Sequence, residues 1–477
     1  MAIITAEDYL ERLKSYPKNV YLQGRLVERD DPAFLQGINV VQETYRAAQR
    51  PELRDLIVTR SHLTGDEISR YTHVNRSIDD LLKKQEMTRL LCHRAGGCIQ
   101  RCMATDTINA MGVVSKEIDE GKGTEYFKRF LKFLEFYQKN DLVGNTAQTD
   151  VKGDRSKRPS GQADPDMYLH VVKKTKDGII VRGAKIFNTM GPYSDEILAL
   201  PTRAMQPEEA DYAVSFAIPT YTKGVKLISH VAGVRPRLDL KAPFSTMGHG
   251  DSLTVFDEVF VPWERVFMCG EWEFAGRLAL VFANYHRHTY CGCKPAMTDI
   301  ILGATALVAE YNGVPRAPHI QQDLAELMIL AELVYAAGIA AAAKGKMTSS
   351  GIFEPAAVYS NMGRYLAGKN IYHEYEMLAA TAGGLPAALP YEQDWSSPET
   401  GSYVQKYIMR NPKISAEKQY RLFRFISDLS CSAWSGVGQY GGIHGGGSPI
   451  MEQIGIRGTY DLESKKQIVK YLAGIED

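Results

Sequence analysis

Two short stretches carry most of the metal and redox chemistry this chain could perform. They are Cys98-Ile99-Gln100-Arg101-Cys102 and Tyr285-His286-Arg287-His288-Thr289-Tyr290-Cys291-Gly292-Cys293-Lys294. Five of the seven cysteines lie in or near them. Thiolates hold iron–sulfur clusters, and an imidazole in place of one thiolate shifts the potential. Cys98 and Cys102, four apart on a helix, would face one way. His286 and Cys293 are seven apart, so on an unbroken helix they would be about 10 Å apart along the axis. Gly292 and Pro295 offer a break at which Cys293 could turn back. Cys98, Cys102, His286 and Cys293 thus make one ligand set. Three cysteines and a histidine also suit a structural zinc ion, His288 and Cys291 are alternative ligands, and buried cysteines can act as small hydrophobes. Gly96 and Gly97 weaken any helix through this region by roughly 1 kcal/mol each, which suggests that something bulky approaches the backbone there.

These residues must be brought together by what surrounds them. The chain has 477 residues, 44% of them hydrophobic, enough for a large core. Lys+Arg and Asp+Glu both number 56, so no global charge argues for nucleic acid or an anionic membrane surface. The opening Met1 to Asp8 lacks a basic, apolar leader, and Leu333 to Ala343 is too short and Ala-rich to span a bilayer. An odd number of cysteines argues against a disulfide framework. The expectation is a cytoplasmic protein with no membrane segment.

Hydrophobic periodicity divides the chain in three. Residues 1–140 read as helical, with Thr5 as an N-cap, a segment Asn39 to Gln49, a long piece from Leu81 through Met103 toward Ile118, and Glu125 to Asn140. Residues 141–272 read as short strands without intervening helices, the mark of an antiparallel sheet. Residues 273–477 read as a helical bundle: Thr298 to Asn312, Leu324 to Lys344, Ala356 to Met377 and Ala416 to Ser432. Breaks are expected at Thr381 to Pro386 and over the Gly-rich Gly436 to Pro449, where backbone amides could approach an anion. Gln148-Thr149-Asp150-Val151-Lys152-Gly153-Asp154-Arg155-Ser156 would suit a flavin's ring edge and phosphates. A solvated loop is the plainer alternative.

Several motifs together resemble the 4-hydroxybutyryl-CoA dehydratase/vinylacetyl-CoA Δ-isomerase family, within the flavin-dependent 4-hydroxyphenylacetate 3-hydroxylase superfamily. They are Thr149-Asp-Val-Lys-Gly-Asp-Arg155, Val181-Arg-Gly-Ala-Lys185, Tyr212-Ala-Val-Ser-Phe-Ala217, Phe256-Asp-Glu-Val-Phe-Val-Pro262, Tyr285-His-Arg287, Tyr290-Cys-Gly-Cys-Lys294 and His444-Gly-Gly-Gly-Ser-Pro449. The resemblance implies an α+β, acyl-CoA-dehydrogenase-like fold, a homotetramer, FAD and a [4Fe-4S] cluster, and an acyl-CoA substrate. It implies Cys98, Cys102, His286 and Cys293 as cluster ligands. Gln100, Tyr290, Lys294, Asp251 and His286 would be catalytic. Gln148, Thr149, Asp150, Arg155, Ser156, Thr189, Gly445 and Gly446 would bind flavin. Two departures bear on activity: Asp251, in Gly248-His249-Gly250-Asp251, replaces a family Glu, and Gly441 replaces an active-site Glu. These leave two alternatives, a paralogue acting on another acyl-CoA (or an isomerase alone), and a flavin-dependent aromatic hydroxylase.

Overall fold

Thr5 starts the first helix through a reciprocal cap. Its hydroxyl accepts from the Asp8 N–H at 3.1 Å, and the Asp8 carboxylate accepts from the Thr5 N–H at 3.0 Å. From there a computed structural model, which describes residues 3–475, runs helices, then sheets, then helices. Met1, Ala2 and the last two residues lie outside the described residues, so the expectation about the leader falls partly there.

The N-terminal helices are Ala6–Lys14, Leu35–Ala48, Ile78–Ala95, Cys102–Lys122 and Tyr126–Lys139. The long helix expected to run from Leu81 toward Ile118 is broken. Ile78–Ala95 ends at Gly96, whose φ of 67° makes the left-handed cap that glycine favours. The next helix starts only at Cys102, so Cys98 is on a loop and Cys102 in a first turn. The glycines are also explained without a ligand. A Cβ on Gly96 would lie 2.3 Å from the Phe244 ring, and one on Gly97 would lie 2.2 Å from Trp434. Two aromatic side chains from later parts of the chain press on this loop.

The central part forms two sheets. One has six strands in the order Arg25–Val27, Val20–Leu22, Val225–Gly233, Gly248–Pro262, Gly178–Thr189, His170–Lys174. The other has four: Val266–Cys269, Val214–Pro219, Glu196–Ala199, Gly144–Ala147. Pairing is antiparallel as expected, except that Val20–Leu22 runs parallel to Val225–Gly233 and Gly144–Ala147 parallel to Glu196–Ala199. The first 140 residues are thus not purely helical, because they supply an edge to the larger sheet. Register sets Asp251 opposite Thr189.

Helices Trp272–Tyr311, Pro318–Ala343, Ala357–Ala382 and Ala416–Cys431 make the C-terminal bundle. The first, here the central helix, runs 40 residues without opening, through Pro295. The break expected near Gly292 does not occur. Gly292 serves instead as a crossing point for helix Ile78–Ala95, since a Cβ there would lie 2.5 Å from the Gln85 carbonyl oxygen and 3.0 Å from Thr88. The Gly-rich segment is also more helical than expected: Ala433–His444 is a helix, leaving residues 445–448 as the loop.

Two helices, Trp272–Tyr311 and Pro318–Ala343, are long and apolar enough to cross a membrane by length and composition. The central helix buries Arg287, His288 and Lys294 in its middle, as a core helix can and a lipid-facing one cannot cheaply. The second is longer than the run Leu333 to Ala343 suggested, and it leaves Met328, Ile329 and Leu333 exposed.

The crossing at Gly292 predicts a contrast on one helix. Gly292→Ala should destabilise by about 1–3 kcal/mol, because backbone must move to admit the methyl. Gly303→Ala meets nothing within 4 Å and should stabilise by about 0.5–1 kcal/mol through helix propensity. Chemical denaturation of the two variants measures both.

Candidate functional site

The two cysteine stretches meet where the 96–101 loop and helix Cys102–Lys122 pack on the central helix. Cys102 and Cys293 lie in one buried apolar cluster with Cys92, Ile99 and Met247. All seven cysteines are free thiols. Cys98 is exposed at its surface, yet the packed protein around its sulfur, with the neighbouring Cys293, pushes its thiol up to about 12. Its sulfur accepts a weak bond from the Gln100 N–H at 3.4 Å. Burial, then Cys98, raises Cys102 well above the thiol range. Cys293 goes the other way: a hydrogen bond from the Cys92 thiol, with Lys294 and Arg364 nearby, outweighs burial and holds it below that range. Each thiol thus sits in the field of the others. Cys92 was not singled out by motif or spacing, yet its thiol acts on Cys293 more strongly than any other group.

His286 is fixed on every side but one. Its Nδ1 lies 2.9 Å from Asp106 Oδ2. The ring stacks on Phe282 at 5.5 Å and meets Tyr290 edge-on at 5.0 Å. These aromatics are four residues before and after it on the same helix. Nε2 has no hydrogen-bond partner among the described residues. Asp106 is fully buried and also accepts from Lys84 Nζ at 2.9 Å and Thr289 Oγ1 at 2.8 Å. Burial works against its charge, but Lys84 and then His286 keep its carboxyl below the usual range.

The alternative ligands point elsewhere. Cys291 donates to the Arg287 carbonyl and packs against Gly338 and Gly363 of the two neighbouring bundle helices. His288 is fully buried, and desolvation pushes it down to about 3.

Gln100 has a left-handed φ of 64°, a strained setting for a non-glycine residue. Its amide is held at both ends, accepting from Tyr193 Oη at 2.5 Å and donating to the Gly248 carbonyl at 2.8 Å. Asp251 accepts from Thr189 Oγ1 at 2.7 Å and pairs with His249 Nε2 at 3.0 Å. Burial raises its carboxyl, but His249 and Thr189 outweigh burial and keep it ionised. Lys294 is buried, which lowers its ammonium against the opposing field of Glu374. Tyr290 is partly buried; desolvation raises its phenol, and it donates to the Gly441 carbonyl at 3.3 Å.

The 445–447 loop lies directly on these side chains. A Cβ on Gly445 would fall 1.8 Å from Tyr290 Oη, and one on Gly446 would fall 3.3 Å from the His286 ring. Two buried arginines hold it by its carbonyls: Arg287 Nε donates to Gly446 at 2.9 Å, and Arg364 donates to Gly445 at 2.9 Å and Ile443 at 2.7 Å. Arg364 also stands over the Tyr290 ring at 4.5 Å.

The expected flavin contacts follow strand Gly144–Ala147. Gln148 and Thr149 are partly buried, while Arg155 and Ser156 are exposed. Asp150 is buried against Lys185 at 2.6 Å, and Lys185 also donates to the Gln148 and Leu200 carbonyls. Thr189 ends the neighbouring strand. Of this set, Thr189 reaches Asp251, and Asp150 is already engaged by Lys185.

The chain matches two family descriptions in succession: 4-hydroxyphenylacetate 3-hydroxylase N terminal over residues 5–268, and its C terminal over residues 275–474. It is 38% identical to a 4-hydroxybutyryl-CoA dehydratase/vinylacetyl-CoA-Δ-isomerase of Clostridium aminobutyricum, over 99% of this chain and all of that one. A solved structure of an oxygen-tolerant archaeal 4-hydroxybutyryl-CoA dehydratase from N. maritimus superposes with a TM-score of 0.95 at 35% identity, covering 100% of this chain and 96% of that one. The oxygenase component of 4-hydroxyphenylacetate 3-monooxygenase, solved with FAD and 4-hydroxyphenylacetate, superposes with a TM-score of 0.89 at 25% identity, covering 98% of each chain.

The Lys185–Asp150 pair can be tested directly. Lys185→Met leaves a buried carboxylate unpaired and should cost about 3–5 kcal/mol of stability. Lys185→Met combined with Asp150→Asn should recover most of it, as read by denaturant midpoint.

Proposed function

Because the chain belongs to the 4-hydroxyphenylacetate 3-hydroxylase family, and within it to the 4-hydroxybutyryl-CoA dehydratase/vinylacetyl-CoA Δ-isomerase family, we propose that it is a lyase and isomerase. It dehydrates 4-hydroxybutyryl-CoA to crotonyl-CoA and moves the double bond of vinylacetyl-CoA into conjugation. The observation that carries this reading is that Cys98, Cys102 and Cys293 lie in one another's field, while His286, its Nε2 unbonded, is held by Asp106 one turn along the helix from Cys102. An aromatic hydroxylase has no use for that set.

Cys98, Cys102, Cys293 and Nε2 of His286 would hold a [4Fe-4S] cluster. Thiolates and imidazole are the donor types such a cluster takes, and the Gln100 N–H already bonds to the Cys98 sulfur. Among the described residues no three His, Cys, Asp or Glu side chains gather tightly enough for a single metal ion. Gln148, Thr149, Asp150, Arg155, Ser156, Thr189, Gly445 and Gly446 would hold FAD. When bound, the cluster supplies a Lewis-acidic iron and the flavin a one-electron acceptor and donor, which a redox-neutral dehydration at an unactivated β-carbon requires.

The chain's own residues manage protons and orientation. His286 Nε2 is a base whenever it is not bound to metal. Tyr290 Oη, partly buried, and Lys294 Nζ, buried, would hydrogen-bond substrate oxygens. Asp251, kept ionised by His249 and Thr189, accepts a proton or hydrogen bond. Gln100 is held rigid by Tyr193 and Gly248 to orient the substrate.

Gly441 favours a second reading, isomerase activity alone or another acyl-CoA. The position where the family has a carboxylate has none here, and a Cβ at Gly441 would meet nothing within 4 Å. The same membership suggests a homotetramer in the cytoplasm. The exposed Met328, Ile329 and Leu333 and the apolar residues of helices Pro449–Thr459 and Leu462–Ala473 would then face other copies.

Anaerobic purification with iron, sulfide and flavin quantification, then incubation with each substrate, tests the reading. Crotonyl-CoA from both supports it, product from vinylacetyl-CoA alone supports the second reading, and absence of iron overturns the cluster. Cys293→Ala should lose iron and activity, whereas Cys291→Ala should keep both. Gly441→Glu should fold normally and raise the rate of dehydration relative to isomerisation by about tenfold or more, as expected for restoring a general acid–base group.

A further inference from the structure

We propose that Asp106 and Lys84 are positioning residues for His286, fixing which ring nitrogen faces the thiols. The inference rests on the reading of His286 as a cluster ligand.

A neutral imidazole carries one N–H, and an ionised carboxylate only accepts. With Asp106 Oδ2 at 2.9 Å from Nδ1, the proton belongs on Nδ1 and the lone pair on Nε2. The other tautomer would set a nitrogen lone pair against the carboxylate. Asp106 cannot turn away, because its second oxygen accepts from Lys84 Nζ at 2.9 Å and Thr289 Oγ1 at 2.8 Å. Lys84 is 1% exposed and Asp106 fully buried, so each is the other's counter-charge in the interior. The tie is built into the same helix faces as the ligands. Asp106 follows Cys102 by four residues on one helix, and Thr289 and Cys293 follow His286 by three and seven on another. A carboxylate behind a ligating histidine raises the basicity of the nitrogen that binds the metal.

Three variants of the full-length protein, purified anaerobically, test this. Asp106→Ala should lose iron to a chelator about 10–100 times faster than wild type. Asp106→Asn should keep iron, since its amide oxygen can still accept from Nδ1, but with a more positive midpoint potential, because the imidazole becomes a weaker donor. Lys84→Met with Asp106→Asn removes both charges. It should recover thermal stability while the potential stays raised, a split that a purely structural pair would not give. Recovery of potential and stability together, or unchanged chelator kinetics and potential in both single variants, overturns the inference. Wild-type protein without iron overturns it together with the cluster reading, so the two failures are distinguishable.

Discussion

The Asp106 carboxylate accepts from Lys84 on one helix and from Thr289 and His286 on another, and three buried helices meet at that point. A charge so deep in the protein is costly unless it is fully paired, and here every donor comes from an element that also shapes the site. Helix Ile78–Ala95 brings Lys84 and Cys92, helix Cys102–Lys122 brings Asp106 and Cys102, and the central helix brings His286, Thr289 and Cys293. Gly292 permits the crossing by letting helix Ile78–Ala95 lie against the central helix. The same three helices that satisfy the buried charge carry Cys92, Cys102 and Cys293 to one another.

A second constraint closes the opposite side. The 445–447 loop has no side chains of its own to hold it, so Arg287 and Arg364 grip its carbonyls and press it onto Tyr290 and His286. Phe244, from the turn between strands Val225–Gly233 and Gly248–Pro262, and Trp434, from helix Ala433–His444, press on the 96–101 loop. Both Gly-rich segments are thus shaped by bulky neighbours at distances that only glycine allows.

Much of this was legible in the sequence. Helical periodicity gave most of the long helices, alternating strands gave the mainly antiparallel sheets, and the cysteine and histidine spacings singled out Cys98, Cys102, His286 and Cys293 as candidates. What was not legible is tertiary. Nothing local distinguishes Lys84 and Asp106 from an ordinary solvated pair, because their burial is decided by a helix almost two hundred residues later. The 96–101 break was missed because a C-capping glycine and a glycine inside a helix look alike without the Phe244 ring beside it. Pro295 and Gly292 read as breakers, yet the long central helix absorbs both within the bundle. Cys92 carried no motif, and its role depends entirely on where Cys293 arrives.

The separation of these contacts along the chain sets an order of assembly. Lys84 and Asp106 are 22 residues apart and can pair as soon as the N-terminal helices leave the ribosome, whereas His286 is 180 residues beyond Asp106. N-terminal segments fold first during synthesis. The Asp106 carboxylate is therefore fully hydrogen-bonded only once the central helix has been made. Docking of that helix completes the hydrogen bonding and delivers the imidazole in the same event, so the site cannot be built before most of the chain has been made.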